Sequence, residues 1–220
     1  MRACYPAIAC LAFCVTLSSC KSSRRTQISA AAGQYSHSLT KTQPFGPGRQ
    51  VHFRINVGDV RILPASSDQE LRLAIQPKHP ASSAEMQSWV QQVDISGQQA
   101  DIQMKVPKNS DVEVTLYVPS ATSLSVNLRV GNLKVDHIRG DKDISVGVGN
   151  LEISGLDPHN YGIVRNSTGV GSLEDSVFSA QKSGTLGKSE NTVGVGAFQI
   201  HSHVGVGNIS LDKGASSQTD

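Results

Sequence analysis

The chain has 220 residues, a near-balanced charge of 20 Lys and Arg against 18 Asp and Glu, 5% aromatic residues and 20 glycines. The balance argues against a general nucleic-acid binder, which needs a concentrated basic face to neutralise phosphates. The length admits one sizeable core, and sparse aromatics with frequent glycine suit an all-β or solenoid body better than a helical one.

All four cysteines, Cys4, Cys10, Cys14 and Cys20, fall in the first twenty residues. Met1-Arg2 precedes an almost uncharged stretch from Ala3 to Thr16 and then Leu17-Ser18-Ser19-Cys20. That is a positive n-region, an apolar h-region and a small-residue cleavage site, too short for a spanning helix of about 20 apolar residues. A cysteine directly after small residues resembles the bacterial lipobox. The resemblance implies a signal peptide over residues 1–19, acylation of Cys20 with chains such as palmitate, and an extracytoplasmic protein anchored by lipid. An ordinary secreted protein, or an uncleaved anchor, is the alternative. Lys21 stands where inner-membrane lipoproteins commonly carry aspartate, which in a Gram-negative host favours the outer membrane.

Cleavage would remove only Arg2 among the charged residues, leaving 19 basic against 18 acidic, and no cysteine beyond Cys20. Stability must then come from burial and backbone pairing rather than disulfides. Lys21, Arg24 and Arg25 either attract anionic headgroups, at about 1 kcal/mol each, or keep the tether soluble. Residues 20–49, rich in Ser, Thr, Gln, Gly and Pro, read as a flexible tether with a short strand near Tyr35 to Leu39.

Residues 50–120 read as longer strands: Val51 to Ile55, Val60 to Leu63, Leu71 to Ile75, Ala100 to Val106 and Val112 to Val118 alternate. Pro77 and Pro80 interrupt them. Met86, Trp89, Val90 and Val93 then take helical spacing, which predicts one short helix over 83–92 with Trp89 as a packing anchor.

From there a motif recurs around glycine. Val57-Gly58-Asp59-Val60 is its first copy, followed by Val130-Gly131-Asn132-Leu133 and Val148-Gly149-Asn150-Leu151. Val170-Gly171-Ser172-Leu173, Val195-Gly196-Ala197-Phe198 and Val206-Gly207-Asn208-Ile209 are further copies. Apolar residues alternate on both sides, as in Leu128 and Val130, then Leu133 and Val135. The Gly-Asn pair shifts that phase by one residue, so the chain must turn there to keep its apolar face inward. Glycine supplies positive φ, and Asn or Asp tolerates left-handed geometry. Gly58, Gly131, Gly149, Gly171, Gly196 and Gly207 are thus expected as structural turn glycines. A two-residue hairpin, with Val130 facing Leu133, satisfies the pattern; so does a corner of a β-solenoid in which each coil stacks on the last. Glycine spacings of 18, 22, 25 and 11 residues from Gly131 onward fit the solenoid better.

The early V-G-D-V-x-I strand, the Val118-Pro119 ending and the serial V-G-N-L/I strands resemble the bacterial putative-adhesin, or "toastrack", domain over residues 50–212. The resemblance implies a repetitive β-solenoid-like domain on secreted or membrane-tethered proteins, some linked to envelope-stress systems, without established catalytic residues. Residues 213–220 are left as a disordered tail. The irregular stretch Ser176 to Asn191 is where a functional insertion would be sought.

Chemical motifs fail on spacing. Gly184-Thr185-Leu186-Gly187-Lys188-Ser189 ends like a P-loop, but Lys182 stands where the first glycine is required. Gly147 with Gly149, and Gly205 with Gly207, never complete G-x-G-x-x-G. His201 and His203 share one strand face, with His137, His159 or Asp212 as conceivable third ligands; solvent-facing histidines are the simpler reading. Asp141, Asp143 and Asp175 offer weak surface calcium sites. Asn166-Ser167-Thr168 and Asn208-Ile209-Ser210 match the glycosylation pattern by chance in a bacterial lipoprotein. A glycan hydrolase needs two carboxylates across a groove. Asp136 with Glu152, or Glu174 with Asp175, are available, but their alternation places them on exposed faces. No catalytic residue, metal or cofactor is implied. The expectation is a non-enzymatic, lipid-anchored envelope protein presenting a β-repeat surface for adhesion or protein interaction. Its partners would be the membrane, through Cys20, and an envelope protein or surface ligand. An envelope-stress sensor or scaffold with an integral membrane partner is the alternative.

Overall fold

The computed structural model describes residues 38–178, 181–183 and 188–213. The leader, Cys20 and the tether as far as residue 37 lie outside the described residues, as do 214–220 and the P-loop-like glycines Gly184 and Gly187.

The first half supplies β1 (Leu39–Pro44), β2 (Gln50–Val57), β3 (Asp59–Pro64), β4 (Glu70–Pro77), α1 (Ser83–Trp89), β5 (Val90–Ser96), β6 (Gln99–Met104) and β7 (Val112–Val118). The tether expected through residue 49 ends earlier. β1 pairs antiparallel with β4 from Leu39 opposite Ile75 to Pro44 opposite Glu70, and Leu39 and Phe45 are buried. Two buried apolar side chains and the β-branched Thr40 and Thr42 outweigh a loop-forming composition. The helix begins as expected, with the Ser82 hydroxyl accepting the Glu85 N–H at 3.2 Å and Met86 and Trp89 buried in the core. It stops at Trp89 instead of Gln92. Val90, Val93 and Ile95 pack against the core from β5, which pairs antiparallel with β6 across a turn at Gly97. Sheet pairing overrides the helical spacing of Val90 and Val93.

The second half supplies β8 (Ser123–Val130), β9 (Leu133–Asp136), β10 (Lys142–Val148), β11 (Leu151–Ser154), β12 (Tyr161–Val170), β13 (Leu173–Asp175), β14 (Gln181–Ser183), β15 (Lys188–Val193), β16 (Phe198–Val206) and β17 (Ile209–Leu211). Two mixed sheets result. One has the order β1-β4-β7-β3-β9-β11-β17-β13, the other β14-β15-β12-β16-β10-β8-β2-β6-β5. Five times the chain leaves the nine-stranded sheet, turns at a glycine and enters the eight-stranded one: β2 to β3, β8 to β9, β10 to β11, β12 to β13 and β16 to β17. The strands entering these corners pair parallel with one another, and so do the strands leaving them, with the valines before the glycines side by side. Inward residues of one sheet, such as Phe53, Val126, Ile144 and Ile200, and of the other, such as Ile62, Val135, Ile153 and Leu211, belong to one core cluster.

Three sequence expectations change here. The hairpin is excluded, because Val130 pairs with Val57 and Val148 rather than Leu133. The strands flanking the corners are not arranged in chain order. β15 pairs antiparallel with the outer edge of β12, so the returning β16 takes the inner edge, between β12 and β10. The valines before the glycines are not inward. Leu128, Val146 and Val204 are buried, but Val130, Val148, Val206 and Val170 are 43%, 49%, 50% and 58% exposed. The turn begins at the valine, so its side chain stands on the outside of the corner.

Candidate functional site

The corner is a set of parallel ladders. Gly58, Gly131, Gly149, Gly207 and Gly171 have φ between +135° and +147°, a region closed to side chains. A Cβ on Gly149 would lie 1.7 Å from the Gly131 carbonyl oxygen, and one on Gly207 equally close to that of Gly149. Gly196 differs from these five: it lies in the bend before β16, at the opposite end of that strand from Gly207, and is not among the positive-φ glycines. Its backbone packs instead on Asn160 and Tyr161.

Asn132, Asn150 and Asn208 do not adopt left-handed geometry; among the described residues other than glycine only His137 does, at φ +51°. Their side chains form a ladder instead. Asn208 Nδ2 donates to Asn150 Oδ1 at 3.1 Å, Asn150 Nδ2 to Asn132 Oδ1 at 3.0 Å, and Asn132 Nδ2 to Asp59 Oδ1 at 2.9 Å. Each Oδ1 also accepts the next backbone N–H, at 3.2 to 3.3 Å. The Ser172 hydroxyl closes one end on Asn208 Oδ1 at 2.6 Å. Asp59 closes the other, where Lys78 lies 2.9 Å away and also reaches Asp111 at 3.1 Å. The hydrogen bond from Lys78 holds the Asp59 carboxyl below the usual carboxylate range, and Asp59 in turn raises Lys78. The Gly-Asn spacing signalled a corner; only the parallel register reveals the ladder.

Most sequence-nominated clusters are not assembled. His201 and His203 do share the outer face of β16, and His203 Nδ1 lies 2.9 Å from the Ser167 hydroxyl. His137 sits beyond β9 in the other sheet, bonded to Asp136 at 2.6 Å. No group of three metal-ligating side chains occurs among the described residues. Glu152 is engaged by Lys134 at 2.6 Å, and Asp136 by Ser154 at 2.7 Å. Asp175 Oδ1 accepts the N–H groups of Val177 and Phe178, at 2.7 and 2.9 Å, capping a turn. Asp141 accepts the Gln199 N–H at 2.8 Å. These carboxylates are structural.

Two features were not singled out from the sequence. Lys142 is 2% exposed, and Nζ donates to the Gly140 carbonyl at 3.1 Å and contacts the Tyr161 hydroxyl. Burial lowers the Lys142 amine to about 7 and raises the Tyr161 phenol. The alternation Lys142, Ile144, Val146 places this lysine inward and was legible. So deeply covered, it is part of the core rather than a nucleophile offered to a substrate.

The second is a groove of about 560 Å³ on the nine-stranded sheet. Arg54 on β2, Gln103 at the end of β6, and Asn127 and Arg129 on β8 line it, with Lys105 and Lys108 of the following loop. Its lining holds four cations and no carboxylate. The outer face of the other sheet differs: Arg61 pairs with Glu113 at 2.8 Å and Lys134 with Glu152 at 2.6 Å.

No family model and no curated protein sequence matches the chain. Solved structures do resemble it. A putative cell adhesion protein from Clostridium sporogenes aligns over 80% of this chain and 99% of its own, with a TM-score of 0.50 and 15% identity. Putative adhesins from Bacteroides fragilis (79% and 96%, TM-score 0.27, 11% identity) and Parabacteroides merdae (81% and 94%, TM-score 0.24, 13% identity) also align. The names match the putative-adhesin family that the glycine motifs resemble; at this identity the likeness to the Clostridium protein establishes the fold.

Proposed function

We propose that the chain is a non-enzymatic, lipid-anchored cell-envelope protein whose stacked coils act as a β-solenoid presenting a fixed surface for adhesion or protein contact. The observation that carries this reading is the exposed valine row. Val57, Val130, Val148, Val206 and Val170 lie side by side in register, and the last four are 43–58% exposed. At a strand spacing of about 4.8 Å the row is roughly 19 Å long. It is an apolar ridge on a rigid backbone, beside a polar asparagine ladder. Exposed contiguous apolar surface of this kind marks interaction sites, and a rigid scaffold loses little freedom when it binds. The leader ending at Cys20 supports lipid anchoring outside the cytoplasm, and the adhesion name of the Clostridium structure agrees with that setting.

The test is retention of cells expressing the full chain on mucin, on collagen and on an epithelial monolayer. Cys20→Ser should release the protein from the membrane fraction and abolish retention. The pair Val148→Lys and Val206→Glu, opposite charges on neighbouring strands, should keep the protein anchored while retention falls several-fold. Unchanged retention in that pair would refute a contact role for the ridge. Cross-linking from position 148 to one integral membrane protein, with no effect on retention, would identify a sensor or scaffold instead.

A further inference from the structure

We propose that the groove formed by Arg54, Arg129, Lys105 and Lys108 is a binding site for a phosphorylated, multiply charged small ligand. The proposal is independent of anchoring and of the valine ridge.

The cations converge by register rather than by sequence proximity. Arg54 lies opposite Gln103 on β6 and opposite Asn127 on β8, and Arg129 stands two residues further along the same face of β8. The loop carrying Lys105 and Lys108 is fixed against this face. Asn56 Nδ2 donates to the Val106 carbonyl and Asn56 Oδ1 accepts the Val106 N–H, both at 2.7 Å. The Lys105 N–H bonds to the Trp89 carbonyl at 2.7 Å, and Val106 is buried. The groove is therefore built before any ligand arrives.

Charge then selects the ligand. Among the described residues none of the four cations forms an ion pair with a carboxylate, whereas Arg61, Lys78 and Lys134 each do. Four like charges held on a stiff framework repel one another, and an anion of two or more charges relieves that repulsion. The planar guanidinium forks of Arg54 and Arg129 match phosphate oxygens bidentately, the lysines add point charges, and the amides of Gln103 and Asn127 can donate to remaining oxygens. The exposed Pro107 adds apolar surface, suited to the carbon-rich part of the same ligand. The volume lies within the range of about 300–1,000 Å³ usual for small-ligand sites. A phosphorylated sugar and a lipid headgroup both carry this chemistry.

The test is calorimetric titration of the full chain, held in zwitterionic detergent, with inorganic phosphate, glucose 6-phosphate and dihexanoyl phosphatidic acid. Glucose and dihexanoyl phosphatidylcholine serve as controls. At least one phosphate probe should bind with a Kd of about 1 mM or tighter at low salt and weaken on adding about 0.5 M NaCl. Arg54→Glu and Arg129→Glu, both at exposed positions, should each weaken binding by about tenfold, while Arg165→Glu outside the groove should not. Preference for the sugar or the lipid probe would identify the source of the phosphate; equal binding of all three would show that the phosphate alone is read. Absence of binding, binding unchanged in both groove variants, or equal loss in Arg165→Glu would overturn the proposal.

Discussion

Gly149→Ala tests the physical basis of the corner. The new Cβ would start 1.7 Å from the Gly131 carbonyl oxygen, where real contacts essentially never fall below 3.0 Å, so the backbones must separate by about 1.3 Å. That displacement acts on the Gly131 N–H to Val148 carbonyl bond (2.9 Å), the Gly149 N–H to Val206 carbonyl bond (2.9 Å) and the Asn150–Asn132 ladder contact (3.0 Å). Three weakened bonds at about 1 kcal/mol each, plus about 1–3 kcal/mol for a side chain at φ +140°, give a loss of about 4–6 kcal/mol. Against a total stability of roughly 5–15 kcal/mol this is a large fraction. In thermal unfolding followed by circular dichroism, the midpoint should fall by roughly 10–20 °C. Gly48→Ala measures a positive φ without a clash, in the milder left-handed region, since Gly48 has φ +72° and nothing within 4 Å of its Cβ. Gly147→Ala isolates the clash, at 2.5 Å from the Arg129 carbonyl oxygen without positive φ. Gly48→Ala should cost about 1–2 kcal/mol and Gly147→Ala an intermediate amount. If Gly149→Ala lowers the midpoint no more than Gly48→Ala does, close approach of the neighbouring backbones is not what demands glycine here.

Two further outcomes follow from the buried and corner polar groups. Lys142→Met should raise the unfolding midpoint most near pH 6: the folded amine titrates at about 7, below the ~10.4 of an unfolded lysine, so the charge penalty is complete below pH 7. In the native chain this residue makes stability rise with pH between about 7 and 10, where the unfolded state holds the extra proton, and Lys142→Met should flatten that rise; parallel pH profiles would refute the assignment. Asn150→Ala removes the donor to Asn132 and the acceptor for both Asn208 groups, and should cost about 2 kcal/mol by urea denaturation, a loss that Asn150→Ser should only partly restore.

What could be read from the sequence was whatever depends on neighbouring residues. Alternation at Val112 to Val118 and the Gly-Asn phase shift both report local backbone geometry, so strands and corners stood out. The N-terminal end of α1 was legible because Ser82 caps within three residues, whereas its C-terminal end was not, because β5 is made by pairing with β6. Stacking order depends on which edge β15 occupies, a choice made between strands about 25 residues apart in the chain, so the swap of β16 and β12 carries no local signature. The exposed valines were misread for a related reason. Val148 keeps the parity of Val146 and belongs to the buried row by alternation, yet the corner turns the chain before a second sheet can cover it. The groove is the extreme case. Arg54 is recognisable as an outward residue of β2, and Arg129 of β8, but 74 other residues separate them, and each alone is an ordinary solvated cation. Their meeting rests on a parallel β2–β8 register that is set by Phe53 beside Val126 and Ile55 beside Leu128 on the opposite face. The apolar face therefore places the cations, and shifting that register by one residue would bury Arg54 and dissolve the site together with the core.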